Sequence, residues 1–402
     1  MLNAPLILTL NGGSSSIRFA FYGAGESLAR LCHGKVEGLG LAEPRLSFAA
    51  SGGEVVESLL LSAADRKAPV TFLLEWLASR PEFDRIEAIG HRVVHGMGQT
   101  QPEVVTTQLL SELHRIRLCD PQHLPREIEL MELLRRRLPE VPQLACFDTA
   151  FHSGMPRVAT LFPIPRRFES KGVRRYGFHG LSYAYLLEQL QHLNDPAASI
   201  GRVILAHLGS GASMAAVLNG RSVDTSMGFT PTSGLVMSTR SGDLDPGLVR
   251  FLARTEGMTM HQFDQMVNHE SGLLGISETS PDIRDLLKTE AKDPRAAEAV
   301  ALFCYQARKC IGSFAAALGG LDTLVFSGGI GEHQACIRTR ICEGLSFLGI
   351  EVDPTLNAAG EGLISRPGAR VSVRVIATDE ELMIARSVWR AWGASRLRME
   401  LA

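Results

Sequence analysis

The chain has 402 residues, with 41 basic and 43 acidic side chains and a formal net charge of −2. That length suggests two or three domains at roughly 150 residues each, and 45% hydrophobic content allows a large core. So even a charge balance gives no electrostatic case for nucleic acid or a membrane surface, and any anionic ligand must be met by local cations.

In chain order, "LILTL" and "IRFAFY" read as paired strands around the turn Asn11-Gly12-Gly13-Ser14-Ser15-Ser16, with Arg18 on the return strand. "RLCHGKVEGL" and "PRLSFAASGG" are weaker strand candidates extending the same sheet. Helical spacing follows in "VTFLLEWLASR" and "PREIELMELLRRRL", the latter with Pro125 near its start. "RIEAIGHRVVHG" reads as a strand ending in a glycine-bounded loop, and "QLACFDTAFH" as a strand with Asp148 at its end. "RVILAHLGSGASMAAVLNGRSVDTS" repeats the opening pattern of strand, glycine turn and return strand, which hints at internal duplication. A long helix, "RAAEAVALFCYQARKCIGSFAAALGG", stops at Gly319-Gly320 and feeds "TLVFS", which runs into a third glycine turn, "GGIGEH". The tail "TDEELMIARSVWRAWGA" is a helix whose Thr378 and Glu381 have capping-box spacing. Strands alternating with helices predict a mixed or parallel sheet with ligands at strand ends.

Seven cysteines, none in CxxC spacing, match no zinc or disulfide framework and fit a reducing cytosol. The N-terminus lacks the basic start of a signal peptide, and no stretch approaches the ~20 apolar residues of a bilayer span. The expectation is a soluble cytoplasmic protein.

Walker A, Rossmann and GxSxG patterns are all absent. Two similar strand–turn–strand elements and a third glycine turn point instead to a nucleotide phosphate, because glycine admits close backbone approach and successive N–H groups form anion nests. Arg92 between His91 and His95, Asp148, His179 beside Phe178, and Arg240 in "MSTRSGDLDPG" share positions at strand ends or glycine turns. Singly, each has an ordinary structural reading: a solvated arginine, a satisfied imidazole, a helix-capping aspartate, a core phenylalanine.

Nine segments, "LTLNGGSSSIRF", "GHRVVHG", "CFDTAFHSGMP", "RRYGFHG", "ILAHLGSG", "SVDTSMGFTP", "TRSGDLDPG", "FSGGIGE" and "DEELMIAR", occur in an order that resembles the acetate kinase family, from Leu8 to Arg386. The family lies in the superfamily of acetate and sugar kinases, heat-shock chaperone ATPases and actin. The resemblance implies an α/β fold of two duplicated actin-like (ribonuclease H-like) domains flanking an active-site cleft. Residues 1–150, completed by a C-terminal helix over 386–402, would form the first domain, and 151–385 the nucleotide-binding second; a homodimer is implied as well. It further implies reversible Mg²⁺- or Mn²⁺-dependent phosphoryl transfer from ATP to acetate or another short-chain fatty acid.

By that resemblance Arg92 and Arg240 would hold the carboxylate and the transferring phosphoryl, and arginine's planar fork suits both anions. His179 would donate to the phosphoryl in flight, with His123 and His207 nearby and Asp148 orienting the nucleophile or its arginines. Glu380 and Asn11 would hold the metal. Ser14, Ser16 and Arg18 would line the first phosphate turn, and Gly209, Ser210 and Gly211 the second. Asp282, Ile283, Arg284, Gly329, Ile330, Gly331 and His333 would receive adenosine. Val94, Gln122, Phe178 and Pro231 would meet the acyl methyl. The chain departs from the family pattern at Arg18 (usually lysine), Gln122, Leu181, Tyr183, Ser210, Ser238 and His333. Three alternatives stand beside this reading: a propionate or short-chain acyl kinase, an ATP-dependent clamp or filament protein on the same superfold, and a serine hydrolase using Ser14–Ser16. Pyrophosphate is the alternative donor.

Overall fold

The computed structural model describes residues 4–13, 16–39, 43–50, 55–62, 68–360 and 362–393. Ser14 and Ser15 of the first turn, and 394–402 of the expected terminal helix, lie outside the described residues. The chain divides into two compact units: one holds the chain through Ala150 together with the segment from Asp379, and the other is Phe151–Thr378.

In the first unit, β1 (Leu6–Gly12), β2 (Ser16–Gly23), β3 (Arg30–Glu37), β4 (Arg45–Ala50), β5 (Val55–Leu60), β6 (Ile86–Val93), β7 (Glu103–Val104) and β8 (Gln143–Phe147) form one sheet. Its order is β5-β4-β3-β2-β1-β6-β8-β7. β1 is buried along its whole length, which is why "LILTL" is mostly apolar on both faces rather than alternating, its one hydroxyl, Thr9, donating to the Ala20 carbonyl. Leu6, Leu8 and Leu10 pack with Leu73 and Leu77 of helix Pro69–Ala78 and with Leu130 and Leu134 of helix Leu124–Arg137. Helix Glu380–Val388 packs against β1 and β6.

In the second unit, β9 (Arg202–Leu208), β10 (Ala212–Leu218), β11 (Arg221–Thr225), β12 (Thr323–Ser327), β13 (Gly362–Leu363) and β14 (Ser372–Val375) run in the order β11-β10-β9-β12-β14-β13. Helix Gly180–His192 supplies Tyr183, Leu186 and Leu190 to a core with Val203, Leu205, Ala215 and Val217. Helix Pro294–Leu318 covers β9 and β10. It starts where Asp293 accepts the Arg295 N–H and ends at Gly319 in the left-handed conformation.

The duplication hinted at in the sequence is present in the topology. Aligning β3-β2-β1-β6-β8-β7 with β11-β10-β9-β12-β14-β13 matches every pairing. Two antiparallel joints open each series. Two parallel ones follow, then an antiparallel edge. This is the duplicated α/β arrangement of the actin-like fold, with β4 and β5 added to the first copy.

Two local expectations differ from the structure. "GGIGEH" is not an open turn but a short helix, Gly328–His333, closed by Glu332 Oε1 accepting the Gly328 N–H at 2.8 Å. Gly328 has φ +74°, and a Cβ there would stand 2.7 Å from the Leu208 carbonyl oxygen, so only glycine fits. Thr378 does not cap the last helix. Asp379 does, accepting the Leu382 N–H at 2.8 Å, while Thr378 Oγ1 donates to Ser182.

Candidate active site

In the first unit β1, β6 and β8 run parallel, so their carboxyl ends share one edge of the sheet, where ligands bind in open α/β sheets. Those ends carry Asn11, Arg92 and Asp148. Asp148 starts a 3₁₀ turn and is fully buried. Its Oδ2 accepts from Arg92 Nε at 3.0 Å and Nη2 at 2.6 Å, an ion pair. Arg92 Nη1 donates to Asn11 Oδ1 at 3.1 Å. Asn11 Nδ2 donates in turn to Glu380 Oε2 at 2.8 Å and Glu381 Oε1 at 3.0 Å. Burial alone would lower the Arg92 guanidinium, yet Asp148 and Glu380 raise it overall, so the charge is secure. Burial, then the Glu380 charge, raises the Glu381 carboxyl.

Around this chain of contacts, Arg18 stands opposite Asn11 in the β1–β2 register and is exposed. Gly13 N donates to Ser16 O at 2.7 Å, and Arg126 Nη1 donates to the Gly13 carbonyl at 2.8 Å. Val94 is buried, and its N–H is held by both oxygens of Glu127 at 3.2 and 3.1 Å. His123 is buried against Asp120, its Nδ1 at 2.9 and 3.1 Å from the two carboxylate oxygens. Gln122 beside it is half-buried.

In the second unit the turn Gly209-Ser210-Gly211 joins β9 to β10, and Ser210 is exposed. The Ser238 N–H donates to Ser210 O at 3.1 Å, tying the Arg240 loop to this turn. A Cβ on Gly211 would lie 3.4 Å from His179 Nε2 and 3.5 Å from Arg240 Nη1. One on Gly209 would lie 3.8 Å from His207 Nε2 and 3.9 Å from the Gly329 N. The missing side chains therefore leave space that two imidazoles, a guanidinium and a backbone N–H all border. The His179 and His207 rings stack at 4.3 Å. Arg240 Nη1 also donates to the carbonyl of Pro231, a buried residue, at 3.1 Å.

Phe178 is 1% exposed, and its carbonyl accepts from His152 Nε2. Gly329 is exposed with open space at its Cβ position, while Ile330 and Gly331 are buried. Asp282 caps helix Ile283–Thr289 and pairs with Arg284, Nη2 to Oδ2 at 2.5 Å. Ile283 is a core residue. His333 is exposed, 4.0 Å from Glu332.

Five residues at these sites carry no site expectation from sequence: Arg126, Glu127, Glu381, Ser213 and Tyr183. Glu381 has a local signal in its adjacency to Glu380. Ser213 has another, as the one hydroxyl in the buried strand "ASMAAVL".

The donors around Asn11 are amide and carboxylate oxygens, the hard ligands Mg²⁺ prefers. Among the described residues no group of three or more His, Cys, Asp or Glu is arranged to hold a metal.

The profile of the acetokinase family matches residues 6–386. An acetate kinase of Rhodopseudomonas palustris (strain ATCC BAA-98 / CGA009) is 45% identical over 394 residues, covering 96% of this chain and 98% of that one. A propionate kinase of Citrobacter rodentium (strain ICC168) is 43% identical, covering 96% of each. The crystal structure of a propionate kinase from Francisella tularensis subsp. tularensis SCHU S4 superposes with a TM-score of 0.88 at 36% identity, covering 95% of this chain and 98% of that one. The chain belongs to the acetokinase family and is a phosphotransferase whose acceptor is a carboxyl group.

Proposed function

We propose that the chain transfers the γ-phosphoryl of ATP to acetate, reversibly, giving acetyl phosphate and ADP, and that propionate is a second acceptor. The supporting observation is the Arg92 fork, oriented by Asp148 and Asn11 at the ends of three parallel strands. A short carboxylic acid is ionised at neutral pH, so its oxygen attacks without a base. What the reaction needs is neutralised repulsion, alignment and stabilisation of charge spreading over the phosphoryl oxygens. One carboxylate oxygen forms the new O–P bond, the bond from the γ-phosphorus to the β–γ bridging oxygen breaks, and that electron pair leaves on ADP.

In this reading Arg92 binds the acceptor carboxylate while Val94, Gln122, Phe178 and Pro231 receive its alkyl group. Arg240, His179 and His207 act on the transferring group, with His123 as an outer partner of the acceptor side. The turns at Gly12–Ser16 and Gly209–Gly211, with Arg18, hold phosphates, and Asp282–Arg284 with Gly329–Gly331 and His333 receive adenosine. Asn11 and Glu380, with Glu381 beside them, would hold Mg²⁺. The bound ion supplies positive charge that offsets the phosphate oxygens. Relatives named for propionate support the second acceptor; one methylene changes selectivity by only about 1–3 kcal/mol.

We place the reaction in the cytoplasm; among the described residues no helix is long and apolar enough to cross a membrane. We also propose a homodimer, supported by helix Gly247–Thr255, which buries none of its residues and exposes Phe251.

Trapping acyl phosphate with hydroxylamine tests the reading. Acetate and propionate should both give product with ATP and Mg²⁺. Arg92→Ala and Arg240→Ala should each lower kcat by at least about tenfold, each removing a charged hydrogen bond of ~1.5–3 kcal/mol. No acyl phosphate from any short-chain acid would end the proposal.

A further inference from the structure

His179 has a backbone that few non-glycine residues adopt, φ +59° and ψ +24°, at the start of helix Gly180–His192. Such conformations persist where surrounding contacts enforce them, often at functional sites. Here the contact is on the ring. His179 Nδ1 lies 2.8 Å from Ser213 Oγ, and Ser213 Oγ is hydrogen-bonded to the Tyr183 hydroxyl. Ser213 and Tyr183 have no solvent exposure. Tyr183 comes from the helix that His179 begins, one turn on, and Ser213 from β10, immediately after the glycine turn. His207 repeats the device: its Nδ1 lies 2.9 Å from Ser182 Oγ, which receives a hydrogen bond from Thr378 Oγ1 at 2.9 Å. Both rings thus meet a hydroxyl pair through Nδ1 and turn Nε2 toward Gly211 and Gly209.

The direction of donation along Tyr183–Ser213–His179 decides the tautomer. Either hydroxyl can donate to the other, and because a phenol is a stronger acid than an aliphatic alcohol the favoured arrangement has Tyr183 O–H donating to Ser213 Oγ. The serine proton is then directed at Nδ1, which accepts it. A neutral imidazole accepting at Nδ1 carries its proton on Nε2. We propose that Ser213 and Tyr183 are positioning residues that hold His179 as the Nε2–H tautomer, so that its one N–H faces the space beside the Gly209–Gly211 turn and Arg240. The inference rests on the phosphotransfer reading only for what occupies that space. A donor fixed in advance needs no reorganisation as charge develops on a phosphoryl oxygen.

The test uses the full chain labelled with ¹⁵N-histidine, with the His179 signals assigned by their loss in His179→Gln. Imidazole ¹⁵N shifts separate a protonated from a bare ring nitrogen. The wild-type ring should show a protonated Nε2 and a bare Nδ1. Tyr183→Phe, which removes one oxygen atom, and Ser213→Ala should each give a mixture of tautomers. Each should also lower kcat by about tenfold, the scale of one hydrogen bond, with KM for ATP and for acetate within twofold of wild type. Ser213→Thr, which restores the hydroxyl, should recover most of both readouts. A wild-type ring protonated on Nδ1, or a Tyr183→Phe ring with unchanged shifts and kcat, would overturn the proposal. Should the chain make no acyl phosphate, the phosphotransfer reading fails, while the ¹⁵N shifts still decide the relay.

Discussion

Asp148 and Arg92 balance each other at the strand ends, but the charge of Arg92 also reaches inward to Glu127, a carboxyl that is 2% exposed. Burial, reinforced by nearby Asp120, pushes the Glu127 carboxyl well above its ordinary value; Arg92 and the Val94 N–H oppose this without reversing it. It holds the backbone of Val94, two residues beyond Arg92, which a neutral carboxyl does with its carbonyl oxygen. The raised value has a stability consequence of definite sign. Above about pH 4.5 the unfolded chain has lost this proton while the folded chain keeps it, so folding takes up a proton and stability falls as pH rises through the window. Glu127→Gln keeps the acceptor and cannot titrate. Thermal unfolding should show the variant and wild type converging near pH 4.5, with the variant more stable as pH rises to 7. Parallel curves across that range would mean that Glu127 is ionised in the folded state and held by Arg92.

Helix Glu380–Val388 brings its first residue to Asn11 because its body lies directly on β6. A Cβ on Gly90 would come within 2.4 Å of Ile384 Cγ2 and 2.7 Å of Val388 Cγ2. Gly90→Ala should therefore push the helix away rather than merely stiffen the strand. Overpacking of this kind costs roughly 1–3 kcal/mol, and the shift should loosen Glu380 and Glu381 from Asn11. The expected outcome is a lower melting temperature together with a higher Mg²⁺ concentration for half-maximal activity. A variant that lost stability but kept its Mg²⁺ response would separate the helix position from the metal site. The same helix shows what local sequence can carry. Apolar spacing in "TDEELMIARSVW" predicts the helix, and T-x-x-E spacing predicts a cap at Thr378 with Glu381 as its partner. The cap is at Asp379, because Thr378 and Glu381 are drawn to Ser182 and Asn11, residues nearly two hundred and 370 positions away in the chain. Strands built around apolar runs, such as "LIL" in β1 and "VILA" in β9, are legible for the opposite reason, since their signal is local. β7 and β13 have two residues each and exist only by pairing with β8 and β14, so no local pattern announces them.

Across the whole molecule, the repeated strand–glycine turn–strand units let the duplication be read before the topology is known. The groups around each turn are less legible, because the two copies have diverged: the first ends in an amide, a guanidinium and carboxylates, the second in imidazoles and an arginine. Each unit also buries a histidine that burial disfavours in its charged form. In the first, His91 on β6 has Nε2 2.8 Å from Gln143 Oε1, and burial lowers it to about 4. In the second, His152 has Nδ1 2.8 Å from Ser222 Oγ and Nε2 3.1 Å from the Phe178 carbonyl, and burial again lowers it to about 4. A histidine held neutral in the fold but free to charge when unfolded contributes stability that is present above about pH 6.5 and lost as pH falls toward 4. Over that window each such group costs the fold on the order of 3 kcal/mol. His152 matters more for function, because the carbonyl it binds belongs to the residue before His179. Acid should therefore loosen the segment that presents His179 as the second unit loses stability. His152→Gln retains an amide donor for the Phe178 carbonyl and removes the titration. Between pH 7 and 4.5 its melting temperature should fall less than that of wild type, and activity assayed at pH 7 after a period at pH 4.5 should be better preserved. An equal fall in both proteins would show that other groups govern acid unfolding and that the His152 ring carries no proton-linked cost.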